Sequence, residues 1–382
     1  MARKASLTHE ALVALGPEKL AKMVLDEAGR NGAFKRLVTA ALAGAQGPAA
    51  IAAIVDRRLL ALERARGFID WDKRKAVVTD LTALVAVMID ELGAADPAAA
   101  VARLLRFLAG AERVFERVDD SSGTVQQVYH AAAEALPGVA LRLADDEKGQ
   151  LPNRLMPLLL TDGYGLIERV IALLIPLLPL SALDHFDAAL AAAFQEIDLS
   201  RSGHRDWERQ FRRDRLIQAR QAIADQRGDV DAFVALEHQR GTQRQDTLAV
   251  AQRFLVAGRA AEALDWVRQS PRPGLRVMSW EDLGDDRPGH DLAELTRARL
   301  EVEILEAIGD PAAAQALRWQ TFADTLDAAA LRDYLAHLPD FAEFDALDRA
   351  FAHAAAYPHR YTALAFFLAT AGSGRKTRPR SA

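Results

Sequence analysis

The stretch Leu305-Glu-Ala-Ile-Gly309-Asp-Pro-Ala-Ala-Ala314 decides the fold class. An apolar helical run meets a glycine, and an Asp-Pro pair then opens an alanine-rich second helix. Glycine lets the chain reverse through a left-handed conformation. Asp accepts hydrogen bonds from the free amides of the new helix, and Pro in the first turn has no N–H to leave unsatisfied. Alanine at the facing position allows the two helices to approach closely. The plan returns at Phe254-Leu-Val-Ala-Gly258-Arg-Ala-Ala-Glu-Ala-Leu264 and at Ile223-Ala-Asp-Gln-Arg-Gly228-Asp-Val-Asp-Ala-Phe233. Its repetition predicts an all-α chain of antiparallel helical hairpins stacked into an α-solenoid.

Composition agrees. The 382 residues exceed the usual size of one core, which implies two packed regions or one array. Apolar residues make up 50%, charged residues 26% and aromatic residues 7%, with Ala, Leu and Arg dominant and β-branched residues sparse. There is no cysteine, so disulfides, thiolate metal sites and cysteine nucleophiles are excluded. The apolar run Leu166–Leu183 carries Glu168 and Arg169 at one end and Pro176 and Pro179 at the other. It reads as a buried helix rather than a membrane span. No secretory core follows Met1, and a cytoplasmic protein without a membrane partner is expected. The net charge of −5 argues against a chain that coats nucleic acid. Eight lysines stand beside forty arginines, so a local arginine cluster has to be discounted against a compositional bias.

Helix punctuation predicts about seventeen helices. Breaks are expected at Gly67, at Gly93 and at Pro137-Gly138, with one helix running over 97–117. Ser200-Arg-Ser-Gly203 reads as a seam. The expected organisation is an N-terminal helical region over 1–200, a repeat region over 204–371 and a disordered tail over 372–382. The long Pro- and Gly-rich connection 270–289 breaks the rhythm and holds Trp280, which either pins the loop to the core or belongs to a binding lid.

Gly258 precedes Ala263 by five residues and Gly309 precedes Ala314 by the same interval, a spacing that resembles the tetratricopeptide hairpin. Gly228 departs from it, with Phe233 at the fifth position, and the glycines lie 30 and then 51 residues apart. The likeness is therefore to a degenerate array and covers about a third of the chain. Leu7-Thr-His-Glu-Ala-Leu-Val-Ala-Leu-Gly16-Pro-Glu-Lys-Leu20, Arg64-Ala-Arg-Gly-Phe-Ile-Asp-Trp71 and Phe115-Glu-Arg-Val-Asp-Asp-Ser-Ser-Gly123 resemble an uncharacterised bacterial all-helical family, a domain of unknown function. That resemblance implies a fold and carries over no site.

Three clusters stand out as candidate sites. Arg201, Arg205, Arg209 and Arg213 recur every fourth residue and line one helix face, with Trp207 and Phe211 opposite. They form either a solvated face with local ion pairs or a surface for phosphate or an acidic partner. Arg117, Asp119, Asp120 and Ser121 form a polar turn suited to cation or acid–base chemistry, though capping of the neighbouring helices is favoured. Arg64, Arg66, Asp70, Trp71 and Lys73 form a corner in which Trp71 is expected to anchor the core. The histidines show no metal-ligand spacing, and no phosphate loop, dinucleotide motif or nucleophile elbow is present. No catalytic residue, cofactor or metal ligand is assigned. The expected function is a non-catalytic scaffold for a protein or peptide partner. The alternative is nucleic-acid or phosphate binding through the arginine face.

Overall fold

The computed structural model describes residues 8–44, 47–197, 206–241, 244–269 and 292–373. Outside them lie the Ser200–Gly203 break, Arg201 and Arg205, the 270–289 connection with Trp280, and residues 374–382 of the expected tail. Among the described residues the protein is all-α, without a β-strand. One isolated parallel bridge joins Ile69 to Val118.

The chain divides into two compact units, Met1–Arg227 and Gly228–Ala382. The first holds α1 (His9–Val13), α2 (Pro17–Arg30), α3 (Gly32–Gly44), α4 (Pro48–Arg64), α5 (Trp71–Ala86), α6 (Gly93–Ala95) and α7 (Pro97–Ala109). It continues with α8 (Ala111–Phe115), α9 (Thr124–Ala140), α10 (Asp145–Gly149), α11 (Leu151–Thr161), α12 (Leu166–Leu174), α13 (Leu180–Gln195) and α14 (Asp206–Arg227). The second holds α15 (Val230–His238), α16 (Thr247–Val256), α17 (Ala260–Val267), α18 (Leu292–Ile308), α19 (Pro311–Thr325), α20 (Ala328–Ala336), α21 (Ala342–Ala355) and α22 (Arg360–Ser373).

In the first unit α9 is the hub, packing on α5, α7, α8 and α12. Its inward residues Val125, Tyr129, Ala132, Ala133 and Leu136 are almost wholly buried, and the Tyr129 ring stacks on Phe107 of α7 at 4.2 Å. Helix α14, which follows the Ser200–Gly203 break, packs on α12 and α13 and ties to α13 through Arg220–Asp187 and Arg227–Asp184 ion pairs. The apolar run at 166–183 does not form one helix. It becomes α12, a 3-10 turn at Ile175–Leu177 and the start of α13, with Val170, Ile171, Leu174 and Leu183 buried. No helix among the described residues is long and apolar enough to cross a membrane.

Three local expectations are corrected. Helix α9 runs through Pro137-Gly138 and ends at Ala140. Burial of Val139 and Ala140 outweighs the lost proline N–H, and Leu141 N donates to the Pro137 carbonyl at 2.8 Å. Gly93 does not break the chain direction, because a π-helical turn, Val87–Leu92, leads into it from α5. A Cβ on Gly93 would lie 3.3 Å from both the Met88 carbonyl and Val139 Cγ1, so glycine there permits close approach to α9. The expected helix over 97–117 divides at Gly110, whose N–H closes α7 onto the Arg106 and Phe107 carbonyls.

The second unit is a serial stack. Each of α15 to α21 packs on its successor, and α16 also meets α18, α19 meets α21, and α20 meets α22. Gly258 and Gly309 both lie at positive φ, 74° and 87°. The two turns close alike: Gly258 N donates to Leu255 O and Arg259 N to Phe254 O, while Gly309 N donates to Glu306 O and Asp310 N to Leu305 O. Five residues after each glycine, Ala263 and Ala314 are completely buried. Phe233, in the same place after Gly228, is buried too. A larger cluster, centred on Phe322, Tyr334, Ala350 and Phe366, holds α19 to α22 together.

Backbone conformation sets opposite expectations for two glycines. At Gly309 an added Cβ meets nothing within 4 Å, so Gly309→Ala costs only the left-handed backbone penalty, about 1–2 kcal/mol. Gly138 lies exposed within α9 with equally open space, so Gly138→Ala is expected to be neutral or stabilising by up to about 1 kcal/mol. Urea titration of both variants measures the difference, and equal destabilisation would show that the turn conformation is not what Gly309 supplies.

Candidate functional site

Helix α19 starts with Asp310 accepting from Ala313 N at 3.0 Å and Pro311 in the first turn. Its buried stripe is Ala314, Arg318 and Phe322, four residues apart, so an arginine occupies the centre of an otherwise apolar face. Arg318 is 6% exposed. Its Nε donates to Asp333 of α20 at 2.9 Å and one terminal nitrogen to Glu306 of α18 at 2.5 Å, while the other reaches Gln315 at 3.4 Å. Burial opposes the charge on Arg318, and the two carboxylates more than offset that, leaving its pKa raised. One guanidinium thereby connects three successive helices.

Beside this tie lies an open cleft of about 390 Å³. Leu295, Ala298 and Val302, at helical spacing on α18, form one wall. Ala329, Ala330 and Asp333 of α20, with His337 at its C-cap, form the other, and Arg318 and Thr321 of α19 lie at the base. Asp327 caps α20 by accepting from Ala329 N and Ala330 N. His337 Nδ1 lies 2.8 Å from the Asp333 carbonyl oxygen, and its Nε2 is 3.8 Å from Glu306, so the ring lines the cleft beside the Arg318 network. A cleft with small apolar walls and a fixed polar base suits a ligand that lies along it.

The clusters singled out in the sequence lie elsewhere. Of the arginine row, Arg209 and Arg213 are described, and both are half-buried. The Arg213 guanidinium lies 4.3 Å from the Phe194 ring centroid, turned onto α13, while Trp207 and Phe211 are exposed at 68% and 47%. The polar turn serves α9: Asp120 accepts from Val125 N at 3.0 Å and Gln126 N at 2.9 Å, and Asp119 accepts from Ser121 N at 3.4 Å. Arg117 donates to the Gly67 carbonyl at 3.4 Å, across the turn that the Ile69–Val118 bridge pins. Trp71 is not a core anchor. It is 62% exposed at the first turn of α5, with the Arg74 guanidinium 5.3 Å from its ring centroid. Asp70, at the cap, takes up Lys73 at 3.8 Å.

Sequence reasoning missed Arg318, Glu306, Asp333 and His337. The available signal was an arginine in register with Ala314 and Phe322, on a helix whose one other charge, Asp324, falls off that stripe.

A family model described as a family of unknown function, DUF6880, matches residues 2–376, and the chain belongs to that family. No curated protein and no solved structure matches it.

The Arg318 network is tested by stranding its charge. Glu306→Gln combined with Asp333→Asn leaves a buried guanidinium without a counter-charge. The expected loss is about 2 kcal/mol, less than for a fully enclosed pair because both carboxylates are half-exposed. Urea denaturation of the double variant against wild type measures it, and an unchanged midpoint would remove the network's structural role.

Proposed function

We propose that the protein is a non-catalytic helical-repeat scaffold that receives a protein or peptide segment in the α18–α19–α20 cleft. The observation that carries this reading is the cleft itself: some 390 Å³ bounded by two helix walls and braced across its base by one buried arginine. A serial helical stack presents such surfaces because each hairpin contacts only near neighbours and leaves a groove between alternate helices. A cytoplasmic setting and the tetratricopeptide-like character of the repeats belong to the same proposal. The nucleic-acid alternative draws little support from Arg209 and Arg213, since both are half-buried and the Arg213 guanidinium lies over the Phe194 ring, which makes a poor phosphate surface.

Ala298 lines the cleft and makes no hydrogen bond to Arg318, so Ala298→Trp is expected to fill the space and leave the Arg318 network in place. Cross-linked partners are compared between wild type and this variant, with circular dichroism confirming that the helices remain. Proteins captured by wild type and lost from Ala298→Trp are the expected result. Identical recovery would place binding away from the cleft and overturn the reading.

A further inference from the structure

Resting on the peptide-site reading, we propose that the cleft selects an extended segment whose side chains include lysine or arginine. The cleft continues past Leu295, Ala298 and Thr321 into an adjoining space of about 190 Å³ along α18 and α19. Together they are lined by the carboxylates of Glu294, Glu303, Glu306, Asp324, Asp327 and Asp333, against Arg299 and Arg318. Three of the carboxylates are already engaged: Glu306 and Asp333 hold Arg318, and Asp327 caps α20. Glu294, Glu303 and Asp324 make no side-chain hydrogen bond or ion pair among the described residues. Arg299 stands one helical turn before Glu303 and is the single lining arginine outside the network. The surplus is negative.

Between these carboxylates the surface is aliphatic: Leu295, Ala298, Val302, Leu317, Ala329 and Ala330. Lysine and arginine carry both halves of the required chemistry, a methylene stem for the walls and a cationic head for the rim. An acidic segment meets like charge there. A wholly apolar one desolvates the three carboxylates without replacing their water. The α18 face from Glu294 to Glu306 is about 18 Å long at 1.5 Å per residue. That length takes about five or six residues of extended chain, whose alternate side chains point the same way. Basic residues at alternate positions therefore reach the rim while small residues between them face the walls.

The test uses the full chain and three fluorescein-labelled peptides of equal length, alternating alanine with arginine, glutamine or glutamate. Fluorescence anisotropy is expected to give the arginine peptide at least about tenfold tighter binding than the glutamine peptide, weakening as salt rises. Glu294→Gln, Glu303→Gln and Asp324→Asn together are expected to remove that preference. These substitutions leave Arg318 and its partners intact, so folding is preserved, as circular dichroism verifies. Equal binding of all three peptides that Ala298→Trp abolishes would keep the peptide site and overturn the charge selection. Binding of none, or binding indifferent to Ala298→Trp, would overturn both. Replacing Arg375, Lys376, Arg378 and Arg380 with glutamine is expected to leave arginine-peptide affinity within about twofold. A gain of about tenfold would make the chain's own basic segment the occupant and overturn a partner in trans.

Discussion

The second unit depends on one constraint: a helix must end and its successor begin within a few residues, with both buried faces kept in register. The turns at Gly258 and Gly309 meet it by the same hydrogen-bond pattern, in which left-handed glycine returns two amides to the last carbonyls of the preceding helix. The small residue five positions on then sets how near the second helix lies, since Ala263 and Ala314 have no exposed surface left. Position and separation are thus set by residues that lie close together in the chain. A stack built this way needs only nearest-neighbour agreement, which is why the repeats tolerate irregular spacing along the chain.

The first unit solves the same problem by another device, used twice. Asp120-Ser-Ser-Gly123 precedes α9, and Asp162-Gly-Tyr-Gly165 precedes α12. Each glycine is left-handed, at φ 69° and 75°. In each case the aspartate accepts from the amides five and six residues ahead: Val125 and Gln126 for Asp120, Ile167 and Glu168 for Asp162. Because α9 and α12 pack together at the centre of this unit, the acidic turn at Asp120, which looks suited to chemistry in isolation, and its counterpart at Asp162 are what start its two central helices. Their carboxylate oxygens are consumed by backbone donors, which leaves little for a cation or a substrate.

How far the sequence revealed this follows from the range of each interaction. The hairpins at Gly258 and Gly309 were legible because turn glycine, cap and small residue all lie within one decapeptide. Capping by Asp120 was legible for the same reason. Trp71 was misread, because whether an aromatic at a helix start points inward depends on what packs over it, and here nothing in the adjacent sequence records that. The passage of α9 through Pro137 was hidden likewise: burial of Val139 and Ala140 overrides the local breaker, and Gly93, some forty-five residues earlier, leaves the room that Val139 needs. The cleft was not legible at all, since its residues come from three helices and its central charge resembles any other among forty arginines.

Why an arginine should sit where Ala314 and Phe322 would invite leucine is a question of specificity rather than stability. A buried ion pair contributes little net free energy over a well-packed apolar substitute, because desolvation cancels most of the attraction. An apolar side chain, however, would accept many spacings of α18 and α20. Arg318 does not: its Nε and its terminal nitrogen reach Asp333 and Glu306 in a fixed planar fork, so the two walls are set at the separation the guanidinium spans. Gln315 strengthens the same geometry from within α19, donating its own amide to the Tyr334 carbonyl at 2.7 Å and accepting from Arg318. Held apart in this way, the walls cannot collapse onto one another to bury Leu295, Ala298, Ala329 and Ala330. The buried charge at the base is therefore the physical reason that the cleft above it stays open.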